Sequence, residues 1–304
     1  MNDNTDAAVM GHLTTSEIAS QPALWRRAQE HADRHPEGLP IRGERVLVLG
    51  CGTSYYVGAA YAALREQGGH GVTDAVIASE LAAVARPYDR VLAISRSGTS
   101  IEVIKALGSL DPTVPVTVIL GELGTPVASC ATNIIDLSYA DERSVVQTRF
   151  PTTLLALLRA SLGQPTAERS ALVRAGEQAL ATPIEEPLPR QLVVLATGWA
   201  ASLAQEAALK CREAAAMWAE AYATGEYRHG PIGVAGPGTL VWAMTPLTDL
   251  QSRSIADTGA RIHHGGDEPV AELVHLQRHA VAWALASNRD PDHPAHLSRS
   301  VMLL

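Results

Sequence analysis

The stretch "RVLVLGCGTSYYVGAAYAAL", Arg45 to Leu64, joins a buried-strand pattern directly to a helical one. Its run of β-branched and leucine residues ends in glycines, which is typical of a parallel strand covered on both faces. The helical segment that follows is closed by Gly68. Because strand and helix alternate in the same way downstream, the sequence predicts an α/β fold with a parallel sheet.

The pattern restarts in the second half of the chain. "VLGCGTSYYVGAAYAAL" from Val48 aligns with "VLATGWAASLAQEAALK" from Val194, so that Gly52 falls on Gly198. This self-similarity is typical of a duplicated α/β unit. We therefore predict two doubly wound, flavodoxin-like parallel-sheet subdomains preceded by an N-terminal helix.

The predicted boundaries follow from changes in pattern along the chain. An N-terminal helical segment covers residues 1–40, the first subdomain residues 41–170, and the second residues 185–304 with a C-terminal tail. A helix and then a connection rich in Pro and Glu separate the subdomains, over residues 163–190. In the second subdomain, "LQSRSIADTGARI", residues 250–262, is predicted to be a helix.

The composition of the 304 residues excludes several classes of protein. With 46% hydrophobic and 18% charged residues, the chain is globular and not disordered. A net charge of −8 without a Lys/Arg run argues against nucleic-acid binding. No apolar run approaches the ~20 residues of a membrane span.

The cysteines and the N-terminus indicate the cell compartment. Cys51, Cys130 and Cys211 are far apart and match no zinc module, so we expect reduced thiols. The N-terminal "MNDNTDAAVM" is acidic and polar, unlike a signal peptide. The prediction is a cytoplasmic protein.

Two turns rich in hydroxyl groups follow predicted strands, "GCGTS" from Gly50 and "SRSGTS" from Ser95. In an open parallel sheet, ligands lie beyond the carboxyl ends of the strands. Small residues, free N–H groups and hydroxyls at a helix start suit an anion such as a phosphate monoester. The alternative is that each turn only caps its helix. No nucleotide-binding glycine motif accompanies them.

The segment "EAALKCRE" places Glu206, Lys210 and Glu213 on one helical face. An exposed Glu–Lys–Glu ladder is the ordinary interpretation and is worth only a few tenths of a kcal/mol. The neighbouring residues are mostly alanine and leucine, which favours a partly buried face. A half-buried carboxylate beside a lysine can act as a tuned base.

These motifs, together with "ASELAAV" and "EAYATGEYRHGP", resemble the sugar-isomerase (SIS) domain family. The double-SIS isomerase portion of the glucosamine-6-phosphate synthases is similar over nearly the whole chain, from "SEIASQP" to "LSRSV". We expect no glutaminase domain, because no N-terminal Cys nucleophile is present. The resemblance implies a sugar phosphate as substrate and no cofactor.

The resemblance also implies where the phosphate is held. The implied hydroxyl groups are those of Thr53, Ser54, Ser95, Ser97 and Ser100. This chain has Arg96 where the family has glutamine, and Thr99 where the family has glutamate. The Arg96 guanidinium either adds a cation to the phosphate or points to solvent.

By the same resemblance, Glu213 moves a proton between C1 and C2 of the sugar, supported by Glu206 and Lys210. His229, in "EYRHGP", matches the histidine that helps to open the sugar ring. In the family this histidine reaches across from a neighbouring subunit. The resemblance therefore implies a homodimer with a shared active site.

Arg299 departs from the family, which has at this position a lysine that forms a Schiff base. A guanidinium stays protonated and is a poor nucleophile, so Arg299 is expected to bind a sugar oxygen, a carboxylate or a phosphate instead. Pairs such as His275/His279 and His293/His296 show no third ligand, and no metal site is predicted.

Because no lysine is available to form a Schiff base, three hypotheses of function are open. The first two are enzymes that remove the C2 proton of the sugar. The first, which the replacement of the lysine by Arg299 favours, is a lyase that dehydrates N-acetylglucosamine 6-phosphate. The second is an aldose–ketose isomerase or deaminase acting on glucosamine 6-phosphate. The third is a non-catalytic sugar-phosphate sensor, which would need the serines but neither Glu213 nor His229.

Overall fold

The computed structural model describes residues 9–83 and 86–300, so most of the acidic N-terminus lies outside the described residues. The chain begins with two helices, α1 (His12–Ala19) and α2 (Gln21–Asp33). Trp25 of α2 is fully buried, and a Cβ added to Gly176 would come within 2.3 Å of its ring. The absence of a side chain at Gly176 therefore lets the indole pack closely.

The first sheet is parallel throughout and has the strand order β2-β1-β3-β4-β5. Its strands are β1 (Val46–Gly50), β2 (Thr73–Ile77), β3 (Arg90–Ser95), β4 (Val116–Leu120) and β5 (Asn133–Asp136). The helices of this half are α3 (Thr53–Gln67), α4 (Ile101–Gly108) and α5 (Arg149–Ser161). This is the flavodoxin-like order, in which the reversal between β1 and β3 opens a crevice at the carboxyl edge.

The second sheet is also parallel and has the order β7-β6-β8-β9. Its strands are β6 (Gln191–Ala196), β7 (Ala219–Ala223), β8 (Thr239–Ala243) and β9 (Arg261–His264). The helices are α6 (Thr166–Ala181), which precedes the sheet, then α7 (Ala200–Ala215), α8 (Asp249–Ala256) and α9 (Pro269–Ala286). The prediction of two flavodoxin-like sheets with N-terminal helices is confirmed.

Two strands of the second sheet differ from the sequence expectation. The prediction of a helix over residues 250–262 is wrong for its last part. The helix α8 ends at Ala256, and Arg261 and Ile262 belong to β9. Gly259, at φ 81°, has a left-handed backbone that interrupts the helix. The strand β7, "AEAYA", was not predicted, since its Ala/Glu composition has little strand character.

The duplicated unit has the same local geometry in both halves. Val48 lies in β1 and Val194 in β6, and the aligned Gly52 and Gly198 have φ values of 52° and 58°. Helices α3 and α7 pack against each other, and one hydrophobic core continues across both sheets. Residues of α7 are thereby placed beside the start of α3.

The chain after α9 returns to the first half. The Asp292 carboxylate accepts hydrogen bonds from the backbone N–H groups of Leu13 and Thr14 and from the Thr14 hydroxyl. Residues 297–300 then reach the carboxyl edge of the first sheet. The subdomain boundaries predicted from the sequence stay a prediction, with β5 ending at Asp136 and β6 beginning at Gln191.

Candidate active site

A cavity of about 230 Å³ lies beyond the carboxyl ends of β1 and β3. Most of the predicted site residues line it: Thr53, Ser54, Ser95, Arg96, Ser97, Ser100, Glu213 and Arg299. Glu206 and Lys210 are buried next to it, through contacts with Thr53. His229 is exposed and lies outside the lining. Apart from His229, the structure brings the predicted residues together.

The turn after β3 presents hydroxyl protons to the cavity. The Ser95 Oγ accepts from the Gly98 N–H at 3.1 Å, and the Ser97 Oγ accepts from the Thr99 hydroxyl at 3.0 Å. Both hydroxyls are acceptors in these bonds, so their own protons remain available to a ligand. Gly98 has φ 63°, and a Cβ there would lie 1.9 Å from the Thr125 Oγ1. Only glycine fits this turn.

The helix-cap interpretation of the two turns does not hold. Ser100 is the N-cap residue of α4, yet its side chain makes no capping hydrogen bond. The N-cap of α3 is Gly52, which has no side chain to contribute. The N-termini of α3 and α4 thus both adjoin the cavity with backbone N–H groups that favour an anion.

On α7, Lys210 lies between two carboxylates. Its Nζ is 2.5 Å from the Glu213 Oε2 and 3.5 Å from the Glu206 Oε1, and it donates to the Thr53 Oγ1 at 2.9 Å. The Thr53 hydroxyl in turn donates to the Glu206 Oε1 at 3.2 Å. Thr53 lines the cavity, but its hydroxyl is engaged by the α7 residues. The side chain of Glu213 is 21% exposed, so it is the carboxylate of this group that faces the cavity.

Burial sets the electrostatics of this group. Burial raises the pKa of Glu206 to about 7, against the opposing effect of the Lys210 charge. Burial alone lowers the pKa of Lys210, but the Glu206 and Glu213 carboxylates raise it above its ordinary value. Lys210 therefore stays an ammonium ion, which does not act as a nucleophile at neutral pH.

Arg96 neither points to solvent nor lies free in the turn. Its side chain is buried, and its guanidinium donates to the carbonyl oxygens of Ser144 and Arg299. Burial lowers the pKa of this guanidinium below its ordinary value. Because the two carbonyls belong to different segments, Arg96 ties the returning tail to the loop after β5.

Arg299 is held by acidic groups. Its guanidinium bonds to both Asp141 carboxylate oxygens at 2.6–2.7 Å, to the Glu122 carboxylate at 2.8 Å and to the Glu142 carbonyl at 3.1 Å. These bonds engage each nitrogen of the guanidinium. The contacts in the structure are thus with the protein's own acids, and sugar binding by Arg299 stays a prediction.

Five further polar residues line the cavity that the sequence analysis did not select: Cys51, Glu102, Gln147, Ser298 and Ser300. Cys51 lies within the turn "GCGTS" and Glu102 closely follows "SRSGTS", so their positions were a usable signal. Ser298 and Ser300 flank Arg299 in "LSRSV", which was a signal as well, whereas no local motif marks Gln147.

A histidine cluster lies elsewhere, between β9 and α9. No third ligand was predicted beside the His275/His279 pair, but the structure places His275 beside His263 and Glu272. None of these residues lines the cavity at the first sheet. The Glu-x-x-His spacing of Glu272 and His275 was the available signal, since it puts both side chains on one helical face.

Comparison with protein families supports the SIS resemblance. Residues 41–161 match the SIS domain family. The "Glutamine--fructose-6-phosphate aminotransferase [isomerizing]" of Pyrobaculum aerophilum is 26% identical over 86% of this chain and 52% of that protein. The protein of the same name from Methanothermobacter thermautotrophicus is 26% identical over 95% of this chain and 57% of that protein. The chain spans about half the length of these curated relatives.

Solved structures share the fold. Glucosamine-6-phosphate deaminase from Thermotoga maritima matches with a TM-score of 0.77 at 24% identity, over 95% of this chain and 99% of that one. Tagatose-6-phosphate ketose/aldose isomerase from Escherichia coli matches with a TM-score of 0.75 at 20% identity, over 94% and 97%. Among the described residues, no helix has the length and apolar character needed to cross a membrane.

Proposed function

Residues 41–161 match the SIS domain family, and from that premise we propose that this chain is an enzyme of amino-sugar 6-phosphates. In this proposal it works as an aldose–ketose isomerase or deaminase, with Glu213 removing the C2 proton of the ring-opened sugar. One observation carries the proposal: the turn Ser95–Ser100 and the Glu213 carboxylate line the same cavity. One end suits a phosphate and the other suits a proton transfer.

The phosphate end needs no metal cation in this proposal. Ser95 and Ser97 have hydroxyl protons to donate, and the Ser100 hydroxyl is not used as a helix cap. The N-termini of α3 and α4 add backbone N–H groups and their positive dipole ends. These donors bind a dianionic ester group and fix the sugar so that its other end reaches α7.

The proton transfer follows from the acidity of the C2–H bond beside the C1 carbonyl. Glu213 accepts the C2 proton, the C–H electron pair forms a C1=C2 double bond, and the C1 oxygen takes up a proton, which gives an enediol. When Glu213 returns its proton to C1 and the C2 hydroxyl gives up its own proton, the C2=O bond of the ketose forms. When C2 carries an amino group, the product is a ketose imine, which water hydrolyses to the ketose and ammonia. General-base catalysis of this kind contributes about 10²–10⁴-fold to rate.

Lys210 and Glu206 position the base in this proposal. The Lys210 ammonium holds the Glu213 carboxylate at 2.5 Å, and Thr53 and Glu206 hold Lys210 from the other side. Since Thr53, Glu206 and Lys210 are all buried, they fix the orientation of the Glu213 carboxylate before the sugar binds.

Ring opening needs a second acid–base group, and His229 is the residue we propose for it. In the chain as described, His229 is exposed and does not line the cavity. We propose that it enters the cavity of a second copy in a homodimer. We also propose a cytoplasmic location, since Cys51, Cys130 and Cys211 are free thiols.

Dehydration of N-acetylglucosamine 6-phosphate is the second candidate. The observation that favours it is that no lysine is found in the described cavity lining, where Arg299 is present instead. No protein amine then forms an imine with a ketose. After Glu213 removes the C2 proton, the C3–O bond breaks, a C2=C3 bond forms, and the hydroxyl leaves with a proton as water.

Proton NMR in deuterated water tests the proposal, with glucosamine 6-phosphate and N-acetylglucosamine 6-phosphate incubated separately with the full chain. Loss of the C2 proton signal with appearance of a ketose is the expected result. New vinylic proton signals would show that the enzyme dehydrates the sugar and does not isomerise it. If the chain binds either phosphate ester but causes no chemical change, the proposal of an enzyme is overturned and a sugar-phosphate sensor is favoured.

Subunit mixing tests the shared site. The variants Glu213→Gln and His229→Gln are expected to be inactive alone, while a mixture that exchanges subunits recovers up to about a quarter of wild-type sites. This fraction follows from random pairing, in which half the dimers are mixed and each has one intact site. If the mixture stays inactive although subunit exchange is demonstrated, His229 does not act across a dimer.

A further inference from the structure

The histidine cluster between β9 and α9 brings three metal-ligating side chains together. His263, Glu272 and His275 each offer one nitrogen or oxygen atom, and these atoms lie within 4.8 Å of one another. They come from two elements, since His263 lies in β9 and the other two residues lie one turn apart in α9. The Trp242 indole stacks on the His263 ring at 3.6 Å between centroids and covers one side.

The hydrogen bonds around the cluster orient its ligand atoms. His275 Nε2 lies 3.4 Å from the Pro183 carbonyl oxygen, which leaves Nδ1 as the free nitrogen. Glu272 Oε1 accepts from the Gly266 N–H at 2.8 Å, and Oε2 accepts from the Trp242 Nε1 at 3.1 Å. Partners of this kind, on the far side of each ligand, fix tautomer and ring orientation in metal sites.

The groups in the cluster are also ligand types that suit a cation. His263 and His275 offer imidazole nitrogens and Glu272 offers a carboxylate oxygen. Nε2 of His263 lies 3.5 Å from Oε2 of Glu272, so these two ligand atoms already face each other. Zinc binds imidazole nitrogen and carboxylate oxygen together.

We propose that His263, Glu272 and His275 bind one Zn²⁺ ion, with water as the fourth ligand. Two imidazoles and one carboxylate are a common zinc ligand set with an open position. Tetrahedral ligands at about 2.0–2.1 Å from zinc lie roughly 3.3 Å apart, so the three side chains draw inward from their separation of up to 4.8 Å. The side chain of His263 is 19% exposed, which gives the ion a path from solvent.

Zinc here would join an edge strand to the last helix. The second sheet ends at β9, which pairs only with β8 in the sheet order. None of the ligands lines the active-site cavity. The proposed ion is therefore structural, and it is independent of the proposed sugar chemistry.

Competition with a chromophoric zinc chelator tests the site, using the full chain purified without a polyhistidine tag and freed of metal by dialysis. The wild type is expected to bind one Zn²⁺ per chain. His263→Gln and Glu272→Gln are expected to weaken binding at least about tenfold. His264→Gln is the matched control, since His264 is the exposed neighbour of His263, and we expect it to bind as the wild type does.

Circular dichroism and the melting temperature without metal show whether each variant is folded. His263→Gln is the decisive variant, because His263 is partly exposed and its loss leaves the hydrogen bonds from Gly266 and Trp242 to Glu272 intact. A rise in melting temperature with Zn²⁺ in the wild type and His264→Gln alone supports the site. The proposal is overturned if the wild type binds no zinc at micromolar concentrations, or if folded His263→Gln and Glu272→Gln bind it as tightly as the wild type.

Discussion

The strand–turn–helix of the first half and its counterpart in the second half share a backbone but present different chemistry. In both, the turn contains a glycine with positive φ, Gly52 at 52° and Gly198 at 58°. Thr53 and Ser54 follow the first glycine, whereas Trp199 and an alanine follow the second. Only the first turn adjoins the cavity described above.

The carboxyl edge of the second sheet makes contacts of its own. Thr197 donates from its backbone N–H to the Thr245 Oγ1 at 3.1 Å, across the ends of β6 and β8. The Trp199 ring lies 5.2 Å from the Arg159 guanidinium, in a cation–π contact. Hydroxyl groups are present at this edge, but they are engaged with each other.

The chemical groups of the second half lie instead along α7. Glu206, Lys210 and Glu213 face α3, because the two duplicated helices pack against each other. The comparison suggests that one copy of the unit binds the ligand through its turn and the other acts on it through its helix. The predictions below are arranged to break or sharpen that division.

Replacing the base has the largest expected effect. Glu213→Gln keeps the size of the side chain but removes the proton acceptor, so kcat falls by about 10²–10⁴-fold while binding of the phosphate ester changes little. Steady-state kinetics and calorimetric titration measure the two quantities. Glu177→Gln, which removes a carboxylate from an exposed surface ion pair, is the control. An unchanged kcat in Glu213→Gln would contradict the role of α7.

Removing a hydroxyl from the first turn has a smaller effect and acts on binding. Ser97→Ala deletes a donor to a charged group, and a bond of that kind is worth about 1.5–3 kcal/mol. We therefore expect affinity for the phosphate ester to fall at least tenfold.

Thr245→Ala is the matched control for Ser97→Ala, because it removes a hydroxyl from the corresponding edge of the second sheet. Isothermal titration of both variants measures the contrast. Equal losses in the two variants would show that the halves do not divide the work as proposed.

The smallest effect, taken per pH unit, is a change in how the free energy of unfolding depends on pH. The pKa of Glu206 is raised from 4.5 to about 7 by burial, so between those values the folded chain holds a proton that the unfolded chain has lost. Its contribution to stability is therefore full below pH 4.5 and is lost as pH rises through 7, by at most about 1.4 kcal/mol per pH unit.

Glu206→Gln should remove this part of the slope. Denaturant unfolding at pH 5 and pH 7.5 measures it, with Glu177→Gln as the control that retains the wild-type slope. If Glu206→Gln loses stability with pH as steeply as the wild type, another group is responsible.

Much of this molecule was readable from local pattern. The strands β1 and β3 contain continuous apolar runs, and the run of β4 is interrupted only by Thr117, because a parallel strand is covered on both faces. The spacing of Glu206, Lys210 and Glu213 predicted that they share one helical face, and all three residues lie in α7. The strand β9, "RIHH", was not predicted, because a short edge strand with polar residues has no apolar run to mark it.

The sequence by itself determined the alternation of strands and helices, the duplication and the residue types at the two turns, because these depend on periodicity and on neighbours along the chain. The tertiary structure decided the partners. The Arg96 guanidinium was expected to bind the phosphate or to point to solvent. It donates instead to the carbonyl oxygens of Ser144, in a distant loop, and of Arg299, in the tail. His263 reaches Glu272 and His275 only because β9 and α9 lie side by side. Contacts of this kind form between segments far apart in the chain, where no local periodicity records them.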